Sequence, residues 1–457
     1  MHTATTADPL SAPAAQPSSA QATRKRYQVL AMLFLVTTIN YADRATLSIA
    51  GPALSKELGI DTVTMGYIFS AFGWSYVLAQ LPGGWLLDRY GSKKVYAASI
   101  FIWSLFTLLQ GGISFISATA GTAVVVLFAL RFLVGAAEAP SFPANGRIVA
   151  SWFPAKERGT ASAIFNSAQY FATVLFAPLM GWITHAYGWP AVFYVMGAIG
   201  MVVSAIWLKT VHSPKTHPGI NRAELDAIAQ GGALVDMDQP AARASQADAP
   251  KWGYIKQLLG NRMLLGVYIG QYCITTLTYF FLTWFPVYLV KERGMSILNA
   301  GFVAALPAIC GFAGGVLGGL ISDGLLRRGH SLTVARKTPI VIGMLLSTCM
   351  IACNYVKGST LVVAIMALAF FGKGLGALGW AVVSDTSPKE ISGLSGALFN
   401  TFGNTAGITT PIVIGYLIKG TGSFNAALVF VAANALVAVC CYLFVVGEIK
   451  RFELTKR

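Results

Sequence analysis

Twelve apolar stretches of bilayer-crossing length leave this chain few folds to adopt. They lie near 27–54, 65–88, 94–113, 121–144, 159–186 and 189–210, then near 262–290, 297–323, 338–356, 360–384, 392–418 and 424–447. A run of roughly 20 apolar residues spans the hydrocarbon layer as a helix. Inside lipid every backbone N–H and C=O must be satisfied within the segment, which such helices achieve. Composition points the same way. Only 11% of the 457 residues are charged, against about 25% in an ordinary globular domain, and mean hydropathy is +0.62. The expected fold is an all-α membrane protein: twelve transmembrane helices in two pseudo-symmetric six-helix bundles.

The predicted domains are a disordered tail over 1–23, a first bundle over 24–210, a soluble linker over 211–258, a second bundle over 259–448 and a short tail over 449–457. The first tail is rich in Ala, Thr, Ser and Pro. A cleavable signal peptide does not fit, because the apolar run after Arg24-Lys25-Arg26 is too long and contains Asp43-Arg44. The linker holds Pro214, Pro218, Asp236, Asp238, Pro240 and Pro250, with a short amphipathic helix expected around Arg222–Ile228.

The formal net charge of +15 is distributed in short clusters between apolar runs. That is the pattern of cytoplasmic loops rather than of a nucleic-acid binder. With the N-terminus inside, the inner loops carry Arg24, Lys25, Arg26, Arg89, Lys93, Lys94, Lys156, Arg158, Arg327, Arg328, Arg336, Lys337, Lys450 and Arg451. The outer loops carry Lys56, Lys291, Arg293, Lys357 and Lys419. Both termini and the linker are therefore expected to be cytoplasmic. The six cysteines sit in apolar stretches without a CxxC pair or a Cys/His metal spacing, so neither metal nor cofactor is expected.

The halves repeat one another. Gly84-Trp85-Leu86-Leu87-Asp88 ends the second segment and Gly319-Leu320-Ile321-Ser322-Asp323 ends the eighth, each with glycine four residues before aspartate. A duplicated six-helix unit is a transporter layout with its site between the halves near the midplane. The stretch Gly84 to Lys94, through Asp88-Arg89-Tyr90-Gly91, resembles the signature loop of the major facilitator superfamily. The resemblance makes Gly84, Asp88, Arg89 and Gly91, with Asp323 in the second half, conformational gate residues. A narrower resemblance covers nearly the whole chain. Asn40-Tyr41-Ala42-Asp43-Arg44, Arg131 to Pro140, Ser151 to Arg158, Thr283-Trp284-Phe285-Pro286 and Gly379-Trp380 are similar to the anion:cation symporter family. Its bacterial sugar-acid permeases are proton-coupled uptake systems of the inner membrane.

Ionisable residues at the bilayer centre cost about 2.5–3.5 kcal/mol each on insertion scales and persist when paired, water-lined or used. Five lie deep: Asp43, Arg44, Arg131, Glu138 and Lys373. Tyr41 and Arg44 share a helix face, whereas Asp43 points about 100° away from Arg44. Arg131 and Glu138 stand two turns apart, about 10 Å of rise, and need other partners. An anion suits the arginine and a proton the carboxylate. The resemblance implies protonation at Asp43 and Glu138, and places Arg44 and Arg131 in the substrate and coupling network. It also raises Tyr41, Tyr76, Gln169, Trp380 and Asn400 as substrate contacts. Three polar pairs have helical spacing: Tyr76 with Gln80, Asn166 with Gln169, and Asn400 with Asn404. Such groups can hold sugar hydroxyls or join helices. Tyr279, Phe281 and Trp284 read as packing or gate residues.

Lys373 opens a glycine-rich run to Trp380, with which it is expected to share a helix face. One cation in each half suits a substrate with a carboxylate at each end. Lys373 resembles the aldarate permeases more than the galactonate type, and Ala377 and Gly379 leave few hydroxyls nearby. The expected function is proton-coupled import of glucarate or galactarate by a monomer whose partners are the anion, protons and the bilayer. The alternatives are a galactonate, hexuronate or other organic-anion symporter and, more remotely, a transport-dead nutrient sensor. A drug exporter fits the core arginines poorly. An intramembrane enzyme has no support, because HExxH and GxSxG are both absent from the sequence.

Overall fold

The computed structural model describes residues 21–116, 119–154, 157–238, 252–388 and 391–454. The expected tail up to residue 20, the linker centre with Pro240 and Pro250, Lys156 and residues 455–457 lie outside the described residues.

Each apolar stretch is a helix. The first half consists of Lys25–Glu57, Thr62–Tyr90, Ser92–Gln110, Gly121–Trp152, Arg158–Tyr187 and Trp189–Thr210. The second consists of Arg262–Lys291, Ile297–Arg327, Leu332–Asn354, Ser359–Thr386, Ser392–Thr421 and Asn425–Val445. Among the described residues, eight of these spans are long and apolar enough to cross a membrane on length and composition alone. The other four are the first, second, third and eleventh. They carry the polar groups of the interior or its rim: Asp43 and Arg44, Asp88 and Arg89, Lys93 and Lys94, and Asn400 and Asn404.

Of the spans that depart from regular helix, the seventh and the tenth bear most on the second half's interior. In the seventh, Pro286 supplies no N–H and crowds the carbonyl four residues back, and the helix widens into a π turn over Phe280–Trp284 just before it. The tenth stops at Leu375 and resumes at Gly379. Gly372, Gly374, Gly376 and Gly379 lower its helix propensity. The single face expected for Lys373 and Trp380 is thereby lost: Lys373 is 5% exposed and Trp380 55%.

The halves meet along the second and eleventh, fifth and eighth, and first and seventh spans. The contacts cluster on the side of the midplane away from the termini, here called the far end. A Cβ on Gly66 would lie 2.6 Å from the Pro411 carbonyl oxygen, and one on Gly301 2.7 Å from that of Ala177. Lys419 Nζ lies 3.3 Å from Asp61 Oδ2, and the Tyr67 and Tyr416 hydroxyls lie 3.2 Å apart. Nearer the midplane, Asn400 donates to Gln80 at 3.3 Å.

At the terminal end, part of the linker packs against the first half. A helix over Arg222–Gln230 buries Ile228, and Glu224 accepts from the Lys25 and Arg26 amides at 2.9 and 3.1 Å. Thr23 also donates to Glu224, so residues just before the first span are tied to the linker. The Leu234 amide donates to Ala150, and Asp238 accepts from the Ser92 amide and hydroxyl.

Candidate functional site

Four of the five deep charges form one buried cluster in the first half. Arg44 donates from Nε to Glu138 Oε2 at 2.8 Å, joining the first span to the fourth. Arg131 turns to the backbone of the first span. Its Nη2 donates to the Arg44 carbonyl at 2.8 Å and its Nη1 to that of Asp43 at 3.3 Å. Asp43 points the other way, where Oδ2 accepts from Trp103 Nε1 on the third span at 3.0 Å. The divergence of Asp43 from Arg44 is that of adjacent positions on one helix. Asp43 and Glu138 are 0% exposed, Arg131 3% and Arg44 6%.

The cluster is incompletely satisfied. Arg44 Nη2, Arg131 Nε, Asp43 Oδ1 and Glu138 Oε1 are buried and find no hydrogen-bond partner among the described residues. Aromatic rings provide the remaining wall. The Arg44 guanidinium carbon lies 5.0, 4.6 and 4.9 Å from the ring centroids of Tyr41, Phe72 and Tyr76. A cation over such faces gains roughly 0.5–2 kcal/mol.

Lys373 stands apart, in the second half. Its Nζ lies 5.1 Å from the Phe370 ring and 5.6 Å from the Tyr170 ring, and it forms no salt bridge among the described residues. A cavity of about 50 Å³ lies between it and the cluster. Tyr41 and Ser48, Gln169, Tyr170 and Thr173, Thr278 and Phe281, and Phe370 contribute to the lining. Tyr41 screens Arg44 on one side, and Tyr170 with Phe370 screens Lys373 on the other. The five charges thus do not converge in one space: four cluster against one wall and the fifth stands behind the opposite one.

The other expected contacts divide. Tyr41 and Gln169 line the cavity, with Gln169 Nε2 donating to the Asn166 carbonyl at 3.2 Å. Tyr76 faces Arg44. Asn400 belongs to a polar chain across the interface of the halves: Tyr279 donates to Asn404 at 3.2 Å, Asn404 to Asn400 at 3.0 Å, and Asn400 to Gln80. Trp380 lies outside the cavity lining and packs on Phe399 at 5.0 Å.

The residues expected to form a gate lie at the terminal end of the spans. Arg147 Nη1 lies 2.5 Å from Asp88 Oδ1, and Arg147 Nη2 lies 3.5 Å from Asp238 Oδ1. Gly91 has φ +83°, a left-handed conformation that joins the second and third spans and favours glycine. Gly84 has open space where a side chain would extend, and Arg89 lies 5.2 Å from the Trp85 ring. In the second half Asp323 lies 3.9 Å from Arg336, whose shorter contact is to Asp385 at 2.8 Å. Sequence reasoning missed Arg147, although it is the one charge between Glu138 and Lys156. It also missed Trp103, which no spacing marks.

The comparisons with known proteins agree with this architecture. Residues 33–335 match the model for the Major Facilitator Superfamily. A protein of Bacillus subtilis (strain 168) described as a "probable galactarate/D-glucarate transporter GudP" is 68% identical over 95% of this chain and 95% of its own length. The "D-galactonate transporter" of Escherichia coli O6:H1 is 43% identical over 95% of this chain and 98% of its own. Among solved structures, a D-xylose-proton symporter superposes with a TM-score of 0.70 at 14% identity, over 93% of this chain and 98% of that one. At that identity the likeness concerns the fold alone. With two six-helix halves around a midplane cavity, a family match over most of the chain and relatives of high identity along nearly its full length, this protein belongs to the Major Facilitator Superfamily.

Proposed function

We propose that the protein imports a six-carbon dicarboxylate sugar acid, glucarate or galactarate, together with protons. The observation that carries this reading is the pair of cations flanking the cavity, Arg44 behind Tyr41 in one half and Lys373 behind Tyr170 and Phe370 in the other. A dianion held between the halves has one cation behind the aromatic wall at each end, and the name of the Bacillus subtilis relative supports that substrate class. Tyr41 and Gln169 lie where sugar hydroxyls pass, and Arg131 with Tyr76 holds Arg44 in place.

Asp43 and Glu138 act as the proton sites. A dianion entering against a potential of about 100 mV meets an electrical cost of ~4.6 kcal/mol, at ~2.3 per charge. Two co-transported protons cancel it, leaving the pH gradient to drive uptake. Protonation of Glu138 weakens its hold on Arg44 and frees the guanidinium for a carboxylate. Asp88, Arg89, Gly84 and Gly91, with Asp323 in the other half, gate the terminal end while one half rocks against the other. The positive-inside distribution supports termini on the cytoplasmic side of a bacterial inner membrane, with the carrier working as a monomer.

The test is uptake of radiolabelled glucarate and galactarate into proteoliposomes with an imposed inward proton gradient. Accumulation of either, competed by the other and weakly by galactonate, is expected. Stronger competition by galactonate or by a hexuronate than by the aldarates overturns the assignment.

A further inference from the structure

We propose that Trp103 is a positioning residue that decides which oxygen of Asp43 carries the coupling proton. The inference rests on the reading of Asp43 as a proton site and names the group that directs it. The Trp103 indole and the Asp43 carboxyl are both 0% exposed, and the indole N–H donates to Oδ2 at 3.0 Å. Indole nitrogen donates and never accepts. A proton placed on Oδ2 would make that oxygen a poorer acceptor and weaken the indole bond, so protonation takes place at Oδ1. That is the oxygen with no partner among the described residues.

The surroundings hold this arrangement in place. Tyr96, tilted 54° to the indole at 6.4 Å, packs beside it in the buried interior of the first half. The charged groups acting on Asp43 are Arg131 and Glu138, both on the fourth span. Arg131 is fastened to the Asp43 carbonyl and Glu138 is engaged by Arg44. The third span contributes Trp103 as the donor to the carboxyl itself. A hydrogen bond to an ionised carboxylate is stronger than one to a neutral acid. Trp103 therefore helps the Oδ1–H bond to break, with the electron pair staying on Oδ1 and the proton passing to water.

The experiment compares the full-length wild type with Trp103→Phe and Asp43→Asn in proteoliposomes. It reads the pH dependence of gradient-driven glucarate uptake and, separately, glucarate exchange at equal pH. For Trp103→Phe, the pH of half-maximal uptake is expected to rise by about one unit. The maximal rate of uptake should fall several-fold, and more than exchange does. If the phenylalanine variant does not fold, infrared difference spectra of the wild type decide the matter. An indole N–H band that shifts between acid and alkaline pH and loses that shift in Asp43→Asn supports the proposal. Asp43→Asn retaining pH-driven accumulation overturns the proton-site reading. Asp43→Asn losing it while Trp103→Phe keeps the wild-type pH profile, or an indole band indifferent to pH, overturns the role of Trp103 alone.

Discussion

The two halves share a topology but use their interiors differently. The first buries four ionisable residues in one cluster joined across helices by Arg44 and Glu138. The second buries one, Lys373, against its own Phe370 ring and the Tyr170 ring of the first half. Glycine contacts between spans serve both halves, as Gly135 against the Phe72 backbone does in the first. In the second, the eighth, ninth and tenth spans approach through Gly314 against the Phe371 backbone, Gly343 against Gly372, and Gly374 against Gly311. The deep ion pair thus lies in one half, while the other holds a cation apart from it. On the proposed function, a proton reaching the first half alters that ion pair and leaves the cation of the second half in place.

The hardest blow to that comparison is Arg44→Ala. It leaves Glu138 buried without its cation, and breaking such a pair costs about 3–5 kcal/mol. Thermal unfolding of the detergent-solubilised protein is expected to show the loss, and adding Glu138→Gln in the same chain should restore most of it. A single-variant unfolding temperature equal to the wild type would mean that the pair contributes nothing to the first half. Next comes Lys373→Gln. Losing a charged hydrogen bond costs about 1.5–3 kcal/mol, so competition assays should show roughly a 10- to 100-fold weaker glucarate affinity, with a smaller effect on galactonate. Equal effects on the two anions would remove the cation of the second half from the site.

A third substitution tests the glycine packing that supports Lys373. Gly374→Ala pushes a methyl group into the Gly311 backbone and is expected to cost about 1–3 kcal/mol. Gly146→Ala in the first half meets open space and should leave the unfolding temperature nearly unchanged. Similar destabilisation by both would erase the distinction.

The smallest effect concerns the linker segment on the first half. Burial lowers the His212 and His217 pKa values, with Lys93 acting on both and His212 adding to the effect on His217. Since the docked rings bind protons less readily than free ones, their contribution is present above about pH 6.5 and is lost as pH falls. Hydrogen exchange across 211–238, corrected for intrinsic rates, should accelerate between pH 7.5 and 5.5. Replacing both histidines with glutamine should flatten that response; an unchanged slope would exclude them as its source.

The helices were legible because a bilayer imposes length and apolarity on each segment, and their ends follow from glycine, proline and charge. The buried charges were legible as a set, since each is expensive where it lies. Their partners were not. Arg44 and Glu138 stand 94 residues apart in sequence, and only the packing of the first span on the fourth brings them together. Lys373 and Trp380 are seven residues apart, a spacing that means one face only while the helix continues, and four nearby glycines end that continuity. Trp103 resembles any aromatic residue in an apolar helix until Asp43 is found beside it.

The far-end closure has a consequence for how the carrier can cycle. Gly66 faces the Pro411 backbone and Gly181 faces Gly301, so at these points opposing helices touch with main chain, beside the Tyr67–Tyr416 and Lys419–Asp61 side-chain contacts. Where glycine meets backbone, helices can slide apart and return without a bulky rotamer having to find its slot again. The amides uncovered at those glycines are already engaged within their own helices, so the donors that parting releases sit on side chains such as Lys419 and Asn400.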